Sequence, residues 1–133
     1  MEDTGRTILH DYIERDEAYY SNYETYWTDL TLIEKVRKTL PVAHVLTVTR
    51  PNCPDCAKYV PGMARIANYL PEWTWELVLS ENMERREELG VRYVPAFLIY
   101  DKPGGKELGR IVERPRSGAL EQDLWNIVHA VES

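Results

Sequence analysis

The chain has 133 residues, of which 44% are hydrophobic and 29% are charged, and its formal net charge is -6. This length suits one globular domain that buries a core without disulfide staples, and the negative charge argues against a general binder of nucleic acid or of acidic membranes. No run of residues approaches the roughly 18 apolar positions of a membrane span, and no basic stretch precedes an apolar run at the N-terminus. We therefore expect a soluble cytoplasmic protein whose partners are proteins or small molecules.

The first 40 residues are polar, acidic and rich in tyrosine. They predict mostly helix with a break, and we expect the tyrosines to pack a helix face rather than to form a recognition surface. Thr31 and Glu34 have the spacing of a capping box, which predicts a helix from about residue 31 to residue 40, immediately before Pro41.

Two short apolar segments, at residues 42–48 and 74–80, predict buried strands. Between them, apolar residues recur with the period of a helix that runs from residue 53 or 54 to about residue 70. Pro61 falls inside this helix and is expected to kink it, because proline lacks a hydrogen-bond donor and crowds the preceding turn. The first strand therefore leads almost directly into the start of a helix.

The rest of the chain predicts a short charged helix over residues 81–90, an antiparallel hairpin and a closing amphipathic helix that opens at Ser117. The hairpin strands cover residues 95–100 and 106–113, on either side of a glycine-containing turn. Alternating strands and helices imply right-handed crossover units with parallel strands. The sequence thus predicts a mixed α/β sheet covered by helices on both faces.

Both cysteines lie in the stretch Cys53-Pro54-Asp55-Cys56, just after the first predicted strand. A thiol at the start of a helix meets unpaired N–H groups and the positive end of the helix dipole, which favour its thiolate. The second thiol, one turn further on, is placed to resolve a mixed disulfide. Asp55 suits the first helical turn, but its charge opposes a thiolate on Cys53, which predicts a less acidic and less oxidising pair.

Other interpretations of the cysteine pair remain open from the residues alone, namely half of a zinc site or two inert thiols. Zinc needs about four ligands, and His10, His44 and His129 stand at no suitable spacing from the cysteines. We therefore expect no metal and no cofactor. We also expect His44, which lies within an apolar strand, to be a hydrogen-bonded core histidine rather than a ligand.

The order of these elements, with C-P-x-C after a strand and a proline at the start of the hairpin, resembles the thioredoxin family over about residues 30–131. Pro61 comes five residues after Cys56, where the family has its helix-kinking proline. Pro95 opens the hairpin strand, as the family's cis-proline does. The resemblance therefore implies a cis bond between Val94 and Pro95, in a loop that packs beside the cysteines.

The resemblance implies an α/β, thioredoxin-like fold with a central mixed sheet of four or five strands flanked by helices. It implies a thioredoxin-like domain over residues 29–133 and an N-terminal helical extension over residues 1–28. In this family, Cys53 would be the attacking nucleophile and Cys56 the resolving thiol. The active-site loop and the substrate groove would be formed by Asn52, Pro54, Asp55, Val94 and Pro95.

The implied activity is that of a thiol-disulfide oxidoreductase that reduces protein or small-molecule disulfides without a cofactor. Its partners would be disulfide-containing proteins and an electron donor such as a thioredoxin-reductase-type enzyme or a small thiol. The alternative is a thioredoxin-like interaction module or redox sensor with little reductase turnover. Three departures from the family favour a selective partner: Asn52 replaces a tryptophan, Thr47 replaces a buried acid, and Glu113 aligns near a glycine.

Overall fold

A computed structural model of the protein describes residues 4–132, so residues 1–3 and 133 of the expected extension and domain lie outside the described residues. The helices are α1 (Thr4–Glu14), α2 (Glu17–Thr25), α3 (Leu30–Thr39), α4 (Pro54–Ala67), α5 (Met83–Leu89) and α6 (Leu120–Glu132). The strands are β1 (His44–Thr49), β2 (Thr74–Leu79), β3 (Ala96–Tyr100) and β4 (Glu107–Val112).

The four strands form one mixed sheet in the order β2-β1-β3-β4. Strand β1 pairs in parallel with β2, whereas the pairs β1–β3 and β3–β4 are antiparallel. The parallel pair is joined through α4, and the antiparallel pair β3–β4 is the hairpin that the glycine-containing turn predicted. The α/β thioredoxin-like fold is thereby confirmed, with four strands rather than five among the described residues.

The two faces of the sheet carry unequal cores. Because successive strand residues point to opposite faces, Val45 and Phe97 join a large core beneath α1, α2, α3, α4 and α6. Leu46 and Leu98 point the other way and pack against residues in and after α5. Helices therefore cover both faces, as predicted, but the face that carries α4 has most of the apolar burial.

The N-terminal helices belong to the large core. Leu9 and Ile13 of α1 and Tyr19 of α2 are each at most 2% exposed, and all three lie in the same apolar cluster as the α4 residues. The predicted break in this helical region falls between residues 14 and 17, and Asp16 caps α2 by accepting the backbone N–H of Tyr19. A division of the chain at residue 28 stays a prediction.

Arg6 of α1 contacts the end of α4 and the residues that follow it. Its guanidinium lies 5.8 Å from the centre of the Trp75 ring, and it donates hydrogen bonds to three backbone carbonyl groups. The acceptors are Ala67 at 2.6 Å, Leu70 at 3.1 Å and Trp73 at 2.9 Å. One side chain thus links α1 to the end of α4 and to the loop that leads into β2.

The capping box predicted at the start of α3 is wrong. The N-cap is Asp29, whose carboxylate accepts the backbone N–H of Leu32 at 3.2 Å. Glu34 does not reach back to the cap, because its carboxylate pairs with Arg37 one turn further on. An aspartate two residues before Thr31 therefore starts the helix one residue earlier than expected.

The closing helix starts at Leu120, three residues after the predicted Ser117. Asp123 explains the later start, because its carboxylate accepts the backbone N–H groups of Arg116 and Ser117 at 2.8 and 3.0 Å. These bonds hold a turn ahead of the helix. Helix α4 likewise ends at Ala67 instead of continuing to residue 70.

Candidate active site

The cysteines stand where β1 ends and α4 begins. Cys53 is the N-cap of α4, and its sulfur accepts the backbone N–H of Cys56 at 3.2 Å. Pro54 occupies the first helical position, where its missing N–H costs no hydrogen bond. Asn52 has a φ of 55°, a left-handed conformation that asparagine tolerates better than most residues. This local geometry points the Cys53 sulfur at the free N–H groups of the helix.

The two sulfurs differ in accessibility. Both residues are free thiols; Cys53 is 7% exposed, whereas Cys56 is fully buried. Burial raises the pKa of Cys56 from its ordinary value near 9.0 to about 11, and its hydrogen bond with Cys53 acts in the same direction. Cys53 is thus the more accessible member of the pair. The raised pKa of Cys56 favours its neutral thiol form.

The hairpin brings the Val94-Pro95 peptide to the cysteines. This bond is cis, as the resemblance implied. The Val94 carbonyl oxygen lies 4.0 Å from the Cys53 sulfur, within the range of a weak S–H···O contact. The Pro95 carbonyl accepts the N–H of Glu113 at 2.7 Å, and Glu113 has a φ of 63°, which suits a position where the family has glycine.

Asp55 has a partner that the sequence did not indicate. The Arg114 Nε atom lies 3.4 Å from a carboxylate oxygen of Asp55, although the two residues are 59 positions apart. The Arg114 side chain is 73% exposed and that of Asp55 is 31% exposed, so the pair lies at the protein surface. The positive charge of Arg114 offsets the repulsion that Asp55 exerts on a Cys53 thiolate.

The inner wall of the site is formed by hydroxyl groups. Thr47, which stands where the family has a buried acid, is 1% exposed, and its hydroxyl makes no hydrogen bond to any described residue. Thr49 lies two residues further along the same face of β1 and is fully buried. The Tyr19 hydroxyl of α2 lies 2.9 Å from the Thr49 hydroxyl oxygen. Sequence reasoning missed both Thr49 and Tyr19, and the tyrosine-rich stretch was the only signal of the second.

A cleft of about 370 Å³ opens beside Cys53. Its walls come from α2 on one side and from the cysteine loop with the start of α4 on the other. The lining residues are Asp16, Ala18, Tyr19, Asn52, Cys53, Pro54 and Ala57. The N-terminal helices therefore form part of the groove next to the accessible thiol.

The part of the chain from residue 4 to residue 132 contains no cluster of three or more His, Cys, Asp or Glu side chains arranged to hold a metal ion. His44 is 6% exposed, and its ring nitrogens lie 2.7 Å from the Thr74 hydroxyl and 3.1 Å from a Glu76 carboxylate oxygen. It is the hydrogen-bonded core histidine that was expected. None of the described helices is both long and apolar enough to cross a bilayer.

A family model described as thioredoxin matches residues 4–121, which is most of the chain. The chain belongs to the thioredoxin family. The match includes α1 and α2 together with the cysteine loop, the cis-proline loop and the start of α6. No curated protein matches the sequence.

Solved structures share this fold at low sequence identity. A protein of unknown function from Pseudomonas aeruginosa is 18% identical with a TM-score of 0.64, covering 94% of this chain and 84% of that one. A thioredoxin from Trypanosoma brucei brucei is 24% identical with a TM-score of 0.54, covering 74% and 84%. A thioredoxin from Fasciola hepatica is 22% identical with a TM-score of 0.53, covering 76% and 91%.

Proposed function

We propose that this protein is a thiol-disulfide oxidoreductase that reduces disulfides through a Cys53/Cys56 cycle. One observation carries the proposal: the Cys53 sulfur caps α4, accepts the Cys56 N–H at 3.2 Å and lies 4.0 Å from the carbonyl oxygen of the cis Val94-Pro95 peptide. Donated N–H groups and the helix dipole stabilise a thiolate at that position. Membership of the thioredoxin family supports the same reaction class.

The proposed cycle has two exchange steps. The Cys53 thiolate attacks one sulfur of a substrate disulfide, a bond forms between them, and the other substrate sulfur leaves and takes up a proton. Cys56 then loses its proton and attacks the Cys53 sulfur, which closes the Cys53–Cys56 disulfide and releases the second substrate thiol. Two electrons pass in total from the cysteine pair to the substrate; one of the two protons comes from Cys56, and the other comes from the solvent, to which Cys53 has lost its own. An external donor then restores the dithiol.

The substrate side of the site favours an extended segment that carries a disulfide. Val94, the residue before Pro95, offers its backbone next to Cys53, and Tyr93, which precedes it, is 61% exposed. The partners we propose are disulfide-containing proteins and, as electron donor, a thioredoxin-reductase-type enzyme or a small thiol. We place this cycle in the cytoplasm, where thiols are kept reduced and a disulfide in this protein would be transient.

The decisive experiment is to trap substrates with Cys56→Ser, in which a mixed disulfide at Cys53 has no resolving thiol. We expect covalent complexes in a cell lysate that a reductant releases, and we expect wild-type protein to reduce a model protein disulfide when a small thiol is supplied. The double variant Cys53→Ser/Cys56→Ser is the matched control and should trap nothing. Absence of both trapping and reductase activity would instead favour an interaction module or a redox sensor.

A further inference from the structure

The cleft beside Cys53 adjoins a second cavity. The cleft has a volume of about 370 Å³ and the second cavity has a volume of about 410 Å³, and Asp16 lines both. Both lie between the N-terminal helical region and the cysteine loop, and the end of β2 also lines the second cavity. Volumes of roughly 300–1,000 Å³ are typical of small-molecule sites. Cys53 therefore borders a space that is large enough for a small molecule.

Two hydrogen bonds hold α2 beside the cysteine loop and α4. The Tyr19 hydroxyl donates to the Arg50 carbonyl oxygen at 2.7 Å, and the Asn22 side-chain amide donates to the Ala57 carbonyl oxygen at 2.7 Å. The Ala57 carbonyl has no helical donor, because the residue four positions later is Pro61, which lacks an N–H. Tyr19 and Ala57 both line the cleft. These bonds fix two of its walls, so the cleft is formed before a ligand binds.

Two arginines bring positive charge to this space. The Arg50 Nη1 atom lies 3.3 Å from the carbonyl oxygen of Asn52, in the peptide unit that leads into Cys53, so the guanidinium stands next to the cysteine loop. A guanidinium has five N–H donors, and this contact uses one of them. Arg15 lines the second cavity together with Arg50. Both arginines are exposed, and neither forms an ion pair with a carboxylate within residues 4–132.

Two carboxylates also face the space. One oxygen of Asp16 accepts the backbone N–H of Tyr19 at 3.1 Å, as the N-cap of α2. Glu81 lines only the second cavity and not the cleft that Cys53 borders. Asp16 is thus partly occupied, whereas the Arg50 guanidinium keeps N–H donors for a ligand. Because guanidinium groups bind carboxylates through two parallel hydrogen bonds, a ligand that carries a carboxylate suits this space.

We propose that this cleft binds a small thiol that carries a carboxylate, and that such a thiol is the electron donor that restores the Cys53/Cys56 dithiol. The Arg50 guanidinium binds the carboxylate and thereby places the donor sulfur at Cys53. The inference rests on the proposed exchange cycle. It assigns the two partners of that cycle to different sides of Cys53. The extended disulfide segment meets the Val94-Pro95 loop, and the small donor enters on the α2 side.

The regeneration of the dithiol has two exchange steps. The donor thiolate attacks the Cys53 sulfur of the oxidised protein, a bond forms between them, and Cys56 leaves and takes up a proton. A second donor thiolate attacks the sulfur of the bound donor, which releases the donor disulfide and the Cys53 thiolate. Two donor molecules thus lose one electron each, and the protein disulfide gains two. The cleft acts on the first step, in which the donor binds as a free molecule.

The test measures how fast two small thiols reduce the oxidised full-length protein. Mercaptosuccinate carries two carboxylates, and 2-mercaptoethanol is uncharged. Free cysteines are counted by mass spectrometry after rapid alkylation, and the two rates are compared at equal concentrations of thiolate. The formal net charge of the protein is -6, so general electrostatics alone would make mercaptosuccinate the slower reductant.

Binding in the cleft predicts the opposite order. Mercaptosuccinate should be about tenfold faster per thiolate than 2-mercaptoethanol, because two charge-assisted hydrogen bonds hold it beside the sulfur. Its rate should also saturate with concentration. The rate with 2-mercaptoethanol should keep rising with concentration, because exchange without a bound complex has no saturating step.

The arginine variants are read through the ratio of the mercaptosuccinate rate to the 2-mercaptoethanol rate. Both thiols attack the same sulfur, so a structural change at Cys53 alters both rates and leaves their ratio unchanged. Arg50→Gln should lower the ratio about fivefold, because the carboxylate loses its guanidinium at an exposed position. Arg15→Gln should lower it about twofold, because Arg15 lines the neighbouring cavity.

A third variant fills the cleft, and a fourth is the matched control. Ala18 lines the cleft, and Ala18→Leu should lower the ratio because mercaptosuccinate is the larger thiol, while leucine is still a good helix former. Arg92→Gln makes the same change of charge as Arg50→Gln. Arg92 is exposed, stands two residues before Val94 and lines neither cavity, so its ratio should equal that of wild type.

The results that would overturn the inference can be told apart. A mercaptosuccinate rate that neither saturates nor exceeds the 2-mercaptoethanol rate would mean that the wild-type protein has no such site. An equal fall of the ratio in Arg50→Gln and Arg92→Gln would assign the preference to general charge. An unchanged ratio in both Arg50→Gln and Ala18→Leu would place the donor outside this cleft. If neither thiol reduces the oxidised protein, the proposed exchange cycle itself fails.

Discussion

The outer side of the cysteine pair is charged and exposed, whereas the inner side is uncharged and buried. On the outer side, Asp55 pairs with Arg114, whose side chain is 73% exposed. On the inner side, Thr49 and Tyr19 are at most 1% exposed. Because water screens the exposed charges, whereas burial directly disfavours the charged form of Cys56, the inner side should affect the reactivity of its sulfur more than the outer side affects that of Cys53.

The largest expected contrast is in alkylation. The pKa of Cys56 is raised from near 9.0 to about 11, which lowers its thiolate fraction at neutral pH about a hundredfold relative to an ordinary cysteine. Burial of the sulfur slows the alkylation of Cys56 further. Iodoacetamide should therefore modify Cys53 alone in the reduced native protein, as read by peptide mass spectrometry, and both cysteines after unfolding. Comparable native labelling of Cys56 would remove the contrast between the two sides.

The inner side depends on the packing of α1 and α2 against α4. A substitution of Arg6 tests how much this packing stabilises the protein. Replacing it in Arg6→Ala deprives three backbone carbonyl groups of a donor, and we expect a loss of about 2 kcal/mol in the free energy of unfolding by urea. Arg114→Ala is the control with an exposed arginine and should change stability by less than about 0.5 kcal/mol. Equal effects from the two variants would contradict a structural role for the N-terminal helices.

Stability should also fall in alkali. Because the folded-state pKa of Cys56 lies above its unfolded value, the folded state binds the proton more tightly, and this contribution is complete below about pH 9 and is lost as the pH rises through about 11. Between pH 7 and about pH 10 the reduced protein should lose on the order of 1 kcal/mol from this group. Urea unfolding of wild type and of Cys56→Ala at both pH values measures this loss. An equal change in the free energy of unfolding for the two proteins would contradict the prediction.

The smallest effect belongs to the outer ion pair. Asp55→Asn should raise the alkylation rate of Cys53 at neutral pH, but by less than about fivefold, because an exposed pair contributes at most about 1 kcal/mol. In an Arg114→Ala background the same substitution should raise the rate by a similar factor, because the repulsion between Asp55 and the thiolate does not require Arg114. A double-mutant cycle of alkylation rates checks this, and a decrease on Asp55→Asn would reverse the assigned sign.

The sequence predicted most of the fold because its signals were local. Apolar β-branched runs marked β1 and β2, the proline inside an apolar helical rhythm marked α4, and the glycine-containing turn marked the hairpin. The errors lay at helix boundaries. Asp29 and Asp123 accept backbone N–H groups and so shift the starts of α3 and α6, and α4 ends earlier than expected. Such competition among neighbouring polar side chains is decided by the geometry of the preceding loop.

For the site, the sequence alone determined where the cysteine pair stands. Two cysteines one helical turn apart, with proline at the first helical position, require only the local geometry of a helix start, and that geometry follows from the residues themselves. The direction of Val94 and Pro95 towards the cysteines was implied by the resemblance to the thioredoxin family and is present in the structure.

Only the tertiary structure decided what surrounds the two sulfurs. Arg114 meets Asp55 across 59 positions of sequence, and Tyr19 meets Thr49 across 30. No periodicity or spacing links such residues, because their contact depends on how α2, β1 and the hairpin pack around α4. The same packing removes water from Cys56, which raises the pKa of its thiol, and leaves water around Asp55 and Arg114, where it screens their charges.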